Sequence, residues 1–101
     1  MVSADIRSHA GHLQKMFAEW PVSIPRTGVI LTEFGEAIPF KEFMICGDLL
    51  LLERPIPDIV GARRVIFEFR QIAAVKIVDA VEMSRFTAFG FRGAVGGATR
   101  Q

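Results

Sequence analysis

Residues 67–79 read FEFRQIAAVKIVD, and this stretch decides how the chain folds. Two apolar runs meet there with only Arg70 and Gln71 between them, and no Gly, Pro, Asn or Asp marks a turn between the runs. The apolar residues before this pair occupy odd positions, whereas those after it do not continue that alternation. Because side chains alternate between the two faces of a strand, this change of phase indicates a tight corner between two strands.

Outward from the corner, the same kind of alternation indicates further strands. β-branched and aromatic residues favour strands, and Gly, Pro and Asp favour the turns between them. We predict five strands, over residues 29–34, 37–45, 49–53, 64–69 and 72–78. The four consecutive leucines at 49–52 predict a strand that is covered on both faces.

The chain before the first strand is predicted to be helical. In residues 4–20 apolar side chains recur at spacings of three and four, which is typical of a helix with one buried face. Ser3 or Asp5 is the expected N-cap. Pro21 ends the helix, because the residue before a proline is disfavoured in the helical conformation.

The composition indicates one globular domain. The chain has 101 residues, half of them hydrophobic, which suffices for a single core. We expect residues 1–83 to form this domain and residues 84–101 to form a tail that contains Gly, Arg and Phe and is mobile in its later part. No apolar run approaches the ~20 residues of a membrane span, and the start of the chain lacks the features of a signal peptide. A cytoplasmic protein without a membrane partner is expected.

The charge is unevenly distributed along the chain. The net formal charge of +1 does not by itself predict binding to nucleic acid. Residues 1–53 carry four basic and seven acidic side chains, whereas residues 54–101 carry eight basic and four acidic ones. This asymmetry allows positive potential to concentrate on one face of the fold or on one rim of an oligomer.

The order of one helix and five short strands with tight turns resembles the Sm-like family, which includes the bacterial host-factor RNA chaperones. Residues 28–55, GVILTEFGEAIPFKEFMICGDLLLLERP, are similar to the first signature of that family, and residues 63–79, RRVIFEFRQIAAVKIVD, to the second. The resemblance covers roughly residues 8–79. It implies a mainly β fold, in which an N-terminal α-helix precedes a five-stranded, strongly bent antiparallel small barrel of the SH3 type.

The resemblance also implies a function. Members of this family form rings, so it implies a homo-oligomer, a hexamer or a heptamer, that binds single-stranded RNA at its pore. The resemblance implies that the corner Arg70-Gln71 faces the pore. Such a pair suits RNA, because Arg can bind phosphate and Gln can bind base edges. The turn Gly47-Asp48 would complete the pocket for a base. Three further basic residues are candidates for a patch at the rim of the barrel: Arg54, Arg63 and Arg64.

These residues also have a purely structural interpretation. Arg70 can be an exposed turn residue that pairs with Glu68 or with a neighbouring subunit, and Gly47 and Asp48 can serve a hairpin turn. The pair Arg70-Gln71 also stands where archaeal and eukaryotic members of the family carry Arg-Gly and bacterial members carry Lys-His. The alternative hypothesis is therefore a structural or protein-interaction module that keeps the oligomer interface and has lost RNA binding.

The sequence does not indicate an enzyme, a metal site or a cofactor. His9 and His12 lie three residues apart on the predicted helix, but no Cys, Asp or Glu at matching spacing completes a metal site. The single Cys46 has no internal disulfide partner and no accompanying His and Asp signature of a nucleophile. We therefore expect a binding protein without catalytic residues, metal or cofactor.

Overall fold

The structure is a computed structural model that describes residues 8–93. Its regular elements in that range are α1 (His9–Ala18), β1 (Gly28–Thr32), β2 (Ala37–Phe40), β3 (Glu42–Cys46), β4 (Leu49–Glu53), β5 (Arg64–Glu68) and β6 (Ile72–Lys76). Two 3-10 helices, Phe69–Gln71 and Met83–Phe89, follow β5 and β6. The strands form two antiparallel sheets of three strands, in the orders β2–β1–β6 and β3–β4–β5. The fold is therefore mainly β with one N-terminal helix, as predicted.

Helix α1 is shorter than the helix predicted over 4–20. It begins at His9 because Ser8 is extended and acts as the N-cap, its Oγ accepting a hydrogen bond from the Gly11 N–H at 2.9 Å. The two expected caps lie outside the described residues. The helix ends at Ala18, before its predicted end. Within residues 8–93 no helix is long and apolar enough to cross a membrane.

The single strand predicted over 37–45 is divided into β2 and β3. Phe40 and Phe43 are both buried, although an unbroken strand would direct them to opposite faces. Lys41 interrupts the strand and allows both rings to enter the core, and its N–H donates to the Glu53 carbonyl oxygen at 2.8 Å. The chain thereby passes from one sheet into the other at a single residue.

The corner predicted within FEFRQIAAVKIVD is confirmed. β5 ends at Glu68, the 3-10 helix Phe69–Gln71 turns the chain, and β6 begins at Ile72. A reciprocal capping box holds this turn: the Glu68 N–H donates to Gln71 Oε1 at 2.9 Å, and the Glu68 carboxylate accepts from the Gln71 N–H. Gln71 therefore stands at the corner for a local structural reason.

An aromatic cluster beneath α1 forms the centre of the core. Phe17 is 1% exposed, and its ring centroid lies 4.8 Å from that of Phe43, 5.2 Å from that of Trp20 and 5.7 Å from that of Phe69. A single helical side chain thus contacts rings from β3 and from the corner. The remaining buried hydrophobic side chains are Ile24, Ile30, Ile38, Phe40, Leu50, Leu52 and Ile72. The core therefore lies between the two sheets and α1.

The first part of the tail predicted over 84–101 packs against the domain. It belongs to the 3-10 helix Met83–Phe89, and the Phe89 ring contacts the Trp20 ring at a centroid distance of 5.0 Å. Residues 94–101, in the later part of the tail that was predicted to be mobile, lie outside the described residues. The described chain therefore continues as structured domain beyond residue 83.

Candidate interaction surface

The structure brings together two of the predicted binding elements, the turn Gly47-Asp48 and the corner. The Phe69 N–H donates to the Asp48 carbonyl oxygen at 3.0 Å, which ties the start of the corner to the turn. Gly47 has a φ of 58°, which favours glycine, and its carbonyl oxygen accepts from Gln14 Nε2 at 2.6 Å. Helix α1, the turn and the corner thus meet at one end of the β3–β4–β5 sheet.

The polar side chains of the corner bind within the chain. The Gln71 amide oxygen accepts from the Glu68 backbone, and the Arg70 guanidinium forms an ion pair with the Glu68 carboxylate. This ion pair agrees with the structural interpretation of Arg70. The Arg70 side chain is nevertheless 73% exposed, so it is the group of the corner that a ligand can reach.

The three basic residues predicted at the rim, Arg54, Arg63 and Arg64, lie at the other end of the β4–β5 hairpin. In the ladder of these two strands, Arg64 belongs to the pair at one end and Glu68, beside the corner, to the pair at the other end. The length of the strand, roughly 13 Å, therefore separates these arginines from the corner. The structure divides the predicted RNA-binding residues into a corner group and a loop group.

The loop group belongs to the segment over 54–63, which Asp58 holds in place. Asp58 Oδ1 accepts from the N–H groups of Val60 at 2.9 Å and Ala62 at 2.8 Å. These hydrogen bonds, first that from Ala62, keep the pKa of Asp58 below its ordinary value. At the tip of the loop Ile59 is fully exposed and Val60 nearly so. The loop therefore combines arginines with an exposed apolar tip.

A row of apolar side chains crosses the outer face of the β3–β4–β5 sheet. Met44 pairs with Leu51 and Leu51 with Ile66, so the three lie side by side across the strands. Met44 is 67% and Ile66 66% exposed, and Leu51 between them is half-buried. Phe43 and Leu50, which precede Met44 and Leu51 along their strands, point to the other face and are buried. We call Met44, Leu51 and Ile66 the outer row.

The sequence analysis did not single out the outer row as a site. One signal was available, because alternation in β5 places Ile66 on the face opposite Val65 and Phe67. The other two members were hidden: a run of four leucines does not show which of them face outward, and the interruption at Lys41 changes the phase of Met44.

Within residues 8–93 each sheet also ends in an edge with which no further strand pairs. β2 and β3 join the two sheets at Lys41, and the strands at the far ends are β6 and β5. An open edge presents unpaired backbone N–H and C=O groups, and proteins commonly protect it with charged side chains, above all Lys, or with Pro. β5, with the sequence RVIFE, contains neither residue, whereas β6, IAAVK, ends in Lys76. The outer row reaches the β5 edge at Ile66, midway between the charged residues Arg64 and Glu68.

The two histidines considered as metal ligands have backbone partners. His9 Nε2 lies 2.7 Å from the Ile72 carbonyl oxygen, and His12 Nδ1 lies 2.8 Å from the Ser8 carbonyl oxygen. The part of the chain that the structure describes contains no group of three or more His, Cys, Asp or Glu side chains that could hold a metal ion. The Cys46 thiol is exposed. Both histidine side chains therefore have structural contacts. His12 binds at the start of α1, and His9 ties α1 to β6.

No family model, curated protein or solved structure that was compared with this chain matches it. Its class is therefore defined by its own geometry. The described residues form a small, mainly β domain with a covering helix, two open sheet edges and an apolar outer row. These surfaces are the basis for a functional proposal.

Proposed function

We propose that the chain is a small barrel of the Sm-like type that acts as a cytoplasmic, self-associating interaction module. Two features support the barrel. Only Lys41 separates β2 from β3, and only the 3-10 helix Phe69–Gln71 separates β5 from β6. When β2 and β3 are counted as one bent strand, the strand order is β6–β1–β2/β3–β4–β5. A bent strand of this kind is a feature of the five-stranded fold that the family resemblance implies.

The outer row, which ends at an open strand edge, is the observation that carries the proposed self-association. Contiguous exposed apolar side chains on a small domain commonly mark an interaction site, and an open edge favours pairing with another strand. A second copy of the chain supplies both kinds of surface. Two arrangements use these edges: β5 with β6 of a neighbour, which closes a ring, and β5 with β5, which closes a dimer.

The corner supports this function better than RNA binding. Gln71 and Glu68 bind each other in the capping box, and Arg70 is paired with Glu68. These contacts stabilise the turn between β5 and β6, and thereby position the two edges. The proposal assigns the protein no reaction, metal or cofactor.

Self-association is tested by mass measurements on the purified chain. We expect a mass in solution of at least twice the 11.2 kDa of one chain. Ile66→Lys places a charge on the β5 edge and should weaken association by about tenfold or more, since edge lysines oppose strand pairing. Ile59→Lys is the matched control, because Ile59 is fully exposed but lies on the loop. A wild-type monomer at all concentrations, or equal weakening by both variants, would contradict the proposal.

Single-stranded RNA binding is a second candidate, supported by one observation. The Arg70 side chain is 73% exposed, and its corner is tied to the Asp48 turn by the Phe69 hydrogen bond. Exposed arginine beside a polar turn can contact phosphate and base edges.

The RNA candidate is tested by titrating labelled U-rich and A-rich RNA at two salt concentrations. If Arg70 contacts a phosphate, Arg70→Ala should weaken binding and reduce the slope of log affinity against log salt concentration by about 0.7. Arg85→Ala is the control, because Arg85 is also exposed but lies in the 3-10 helix Met83–Phe89. No binding at low salt, or equal binding by Arg70→Ala and the wild type, would remove this candidate.

A further inference from the structure

The hydrogen bonds at the two ends of the β4–β5 ladder show which backbone groups of β5 face its open edge. The Arg54 N–H donates to the Arg63 carbonyl oxygen at 2.8 Å, and the Phe69 N–H donates to the Asp48 carbonyl oxygen at 3.0 Å. Hydrogen-bonded pairs alternate with non-bonded pairs along an antiparallel ladder. The alternate residues of β5 that begin with Arg64 therefore direct their backbone groups away from β4.

These outward groups belong to Arg64, Ile66 and Glu68. The Glu68 N–H is already bound by Gln71 Oε1 at 2.9 Å. Among the described residues no partner accepts from the N–H of Arg64 or Ile66. The edge can therefore add one more strand opposite residues 64–68, with backbone bonds centred on Ile66.

The sequence of β5 is complementary to itself when it is reversed. RVIFE has a positive residue at one end, a negative residue at the other and three apolar residues between them. In an antiparallel pair of two β5 strands centred on Ile66, Arg64 stands opposite Glu68, Val65 opposite Phe67 and Ile66 opposite itself. Opposite charges and apolar pairs in these positions stabilise neighbouring strands.

We propose that two copies of the chain pair through β5 in this register and form a two-fold symmetric dimer. This inference rests on the proposed self-association and names the partner edge. The two β3–β4–β5 sheets then become one continuous sheet, and the outer row of one copy continues into that of the other. Each Ile66 N–H donates to the Ile66 carbonyl oxygen of the second copy, and each Arg64 N–H donates to the opposite Glu68 carbonyl oxygen.

Side-chain charges on the outer face favour the same register. Arg64 Nη2 lies 3.5 Å from Glu53 Oε2, and Glu68 is paired with Arg70. The Arg64 side chain is 62% exposed and that of Glu68 38% exposed, so both present charge beside the edge. In the dimer the charged side chains across the joined sheet follow one another as Glu53, Arg64, then Glu68 and Arg70 of the second copy. Negative and positive charges therefore alternate along this line.

Pairing of β5 with β6 of a neighbour, as in a ring, lacks this complementarity. When the two five-residue strands overlap fully in antiparallel orientation, Arg64 stands opposite Lys76 and Glu68 opposite Ile72. Like charges directly opposite each other destabilise a strand pair, and Glu68 gains no partner. In this register the charges of β5 favour pairing with a second β5 over pairing with β6.

Charge reversal on the full chain tests the register. Arg64→Glu or Glu68→Arg alone places like charges opposite each other at both ends of the pair, and each should weaken the dimer on the order of tenfold or more in sedimentation equilibrium. An equimolar mixture of the two variants should restore a dimer of one copy of each, because every opposite pair then has unlike charges. The double variant should likewise restore a homodimer.

Arg63→Glu is the matched control, because it makes the same change of charge at a position whose carbonyl oxygen faces β4. It should leave the dimer intact. Circular dichroism confirms that each variant is folded, which matters most for Glu68→Arg because Glu68 also caps the corner.

Three results would overturn the proposed register. They are an oligomer that Arg64→Glu does not weaken, a mixture of the two variants that forms no mixed dimer, and a closed assembly of six or more copies. In each of them the proposed self-association stands. A chain that is monomeric at every concentration would instead overturn both proposals.

Discussion

Leu50→Ala is expected to lower the free energy of unfolding by about 2–5 kcal/mol. Leu50 has no exposed surface and stands between Ile45 of β3 and Phe67 of β5, so a cavity opens between three strands when its side chain is truncated. The neighbouring strands β3 and β5 cannot close this cavity without breaking their register with β4. Urea denaturation followed by circular dichroism measures the change, at one protein concentration because self-association would shift the midpoint.

Leu49→Ala in the same strand is the control. Leu49 is 37% exposed and points to the outer face, so the same substitution should cost less than about 1 kcal/mol. The two leucines are adjacent in a run that looks uniform in the sequence, and only their direction differs. Equal losses of stability would contradict the inward placement of Leu50.

Phe17→Ala is the second large prediction, with an expected loss of about 3–5 kcal/mol. The Phe17 ring is 1% exposed and packs against Trp20, Phe43 and Phe69, which belong to three different parts of the fold. Removing it takes away the contacts by which α1 holds the sheet and the corner together. If the chain then fails to fold, Phe17→Leu keeps most of the volume and should lower stability by a smaller, measurable amount.

Phe34→Ala is the matched substitution on the surface. Phe34 lies between β1 and β2 and is 81% exposed, so its truncation should change the free energy of unfolding by no more than about 0.5 kcal/mol. Thermal and urea unfolding of the two variants test the same side chain in two environments. A small effect of Phe17→Ala would show that α1 does not form part of the core.

The corner shows how much of the fold follows from local pattern. The change of phase around Arg70 and Gln71 predicted a turn without any Gly, Pro, Asn or Asp, and the 3-10 helix lies at those residues. The pattern did not show that Gln71 caps Glu68. A capping box depends on side-chain direction, which a reading of apolar periodicity does not address.

The predicted site is less well determined by the sequence than the fold. The turn Gly47-Asp48 and the corner do meet, because strands β4 and β5 pair with their ends aligned. Arg54 and Arg64 belong to the same basic half of the chain as Arg70. In the structure they lie at the opposite end of the hairpin from the corner. The distribution of charge along the sequence does not show how β4 and β5 pair, and this pairing places the two groups at opposite ends of the hairpin.

The sequence by itself determined the helix with one buried face, the short strands, the tight turn at Gly47 and the corner at Arg70-Gln71. Each of these follows from the conformational preferences of neighbouring residues. The tertiary structure alone decided that the second predicted strand breaks at Lys41 and which of the four leucines face the core. It also assembled the outer row at the β5 edge. These outcomes depend on contacts between residues distant in the sequence, since Phe40 and Phe43 can share one core only if the strand between them is interrupted.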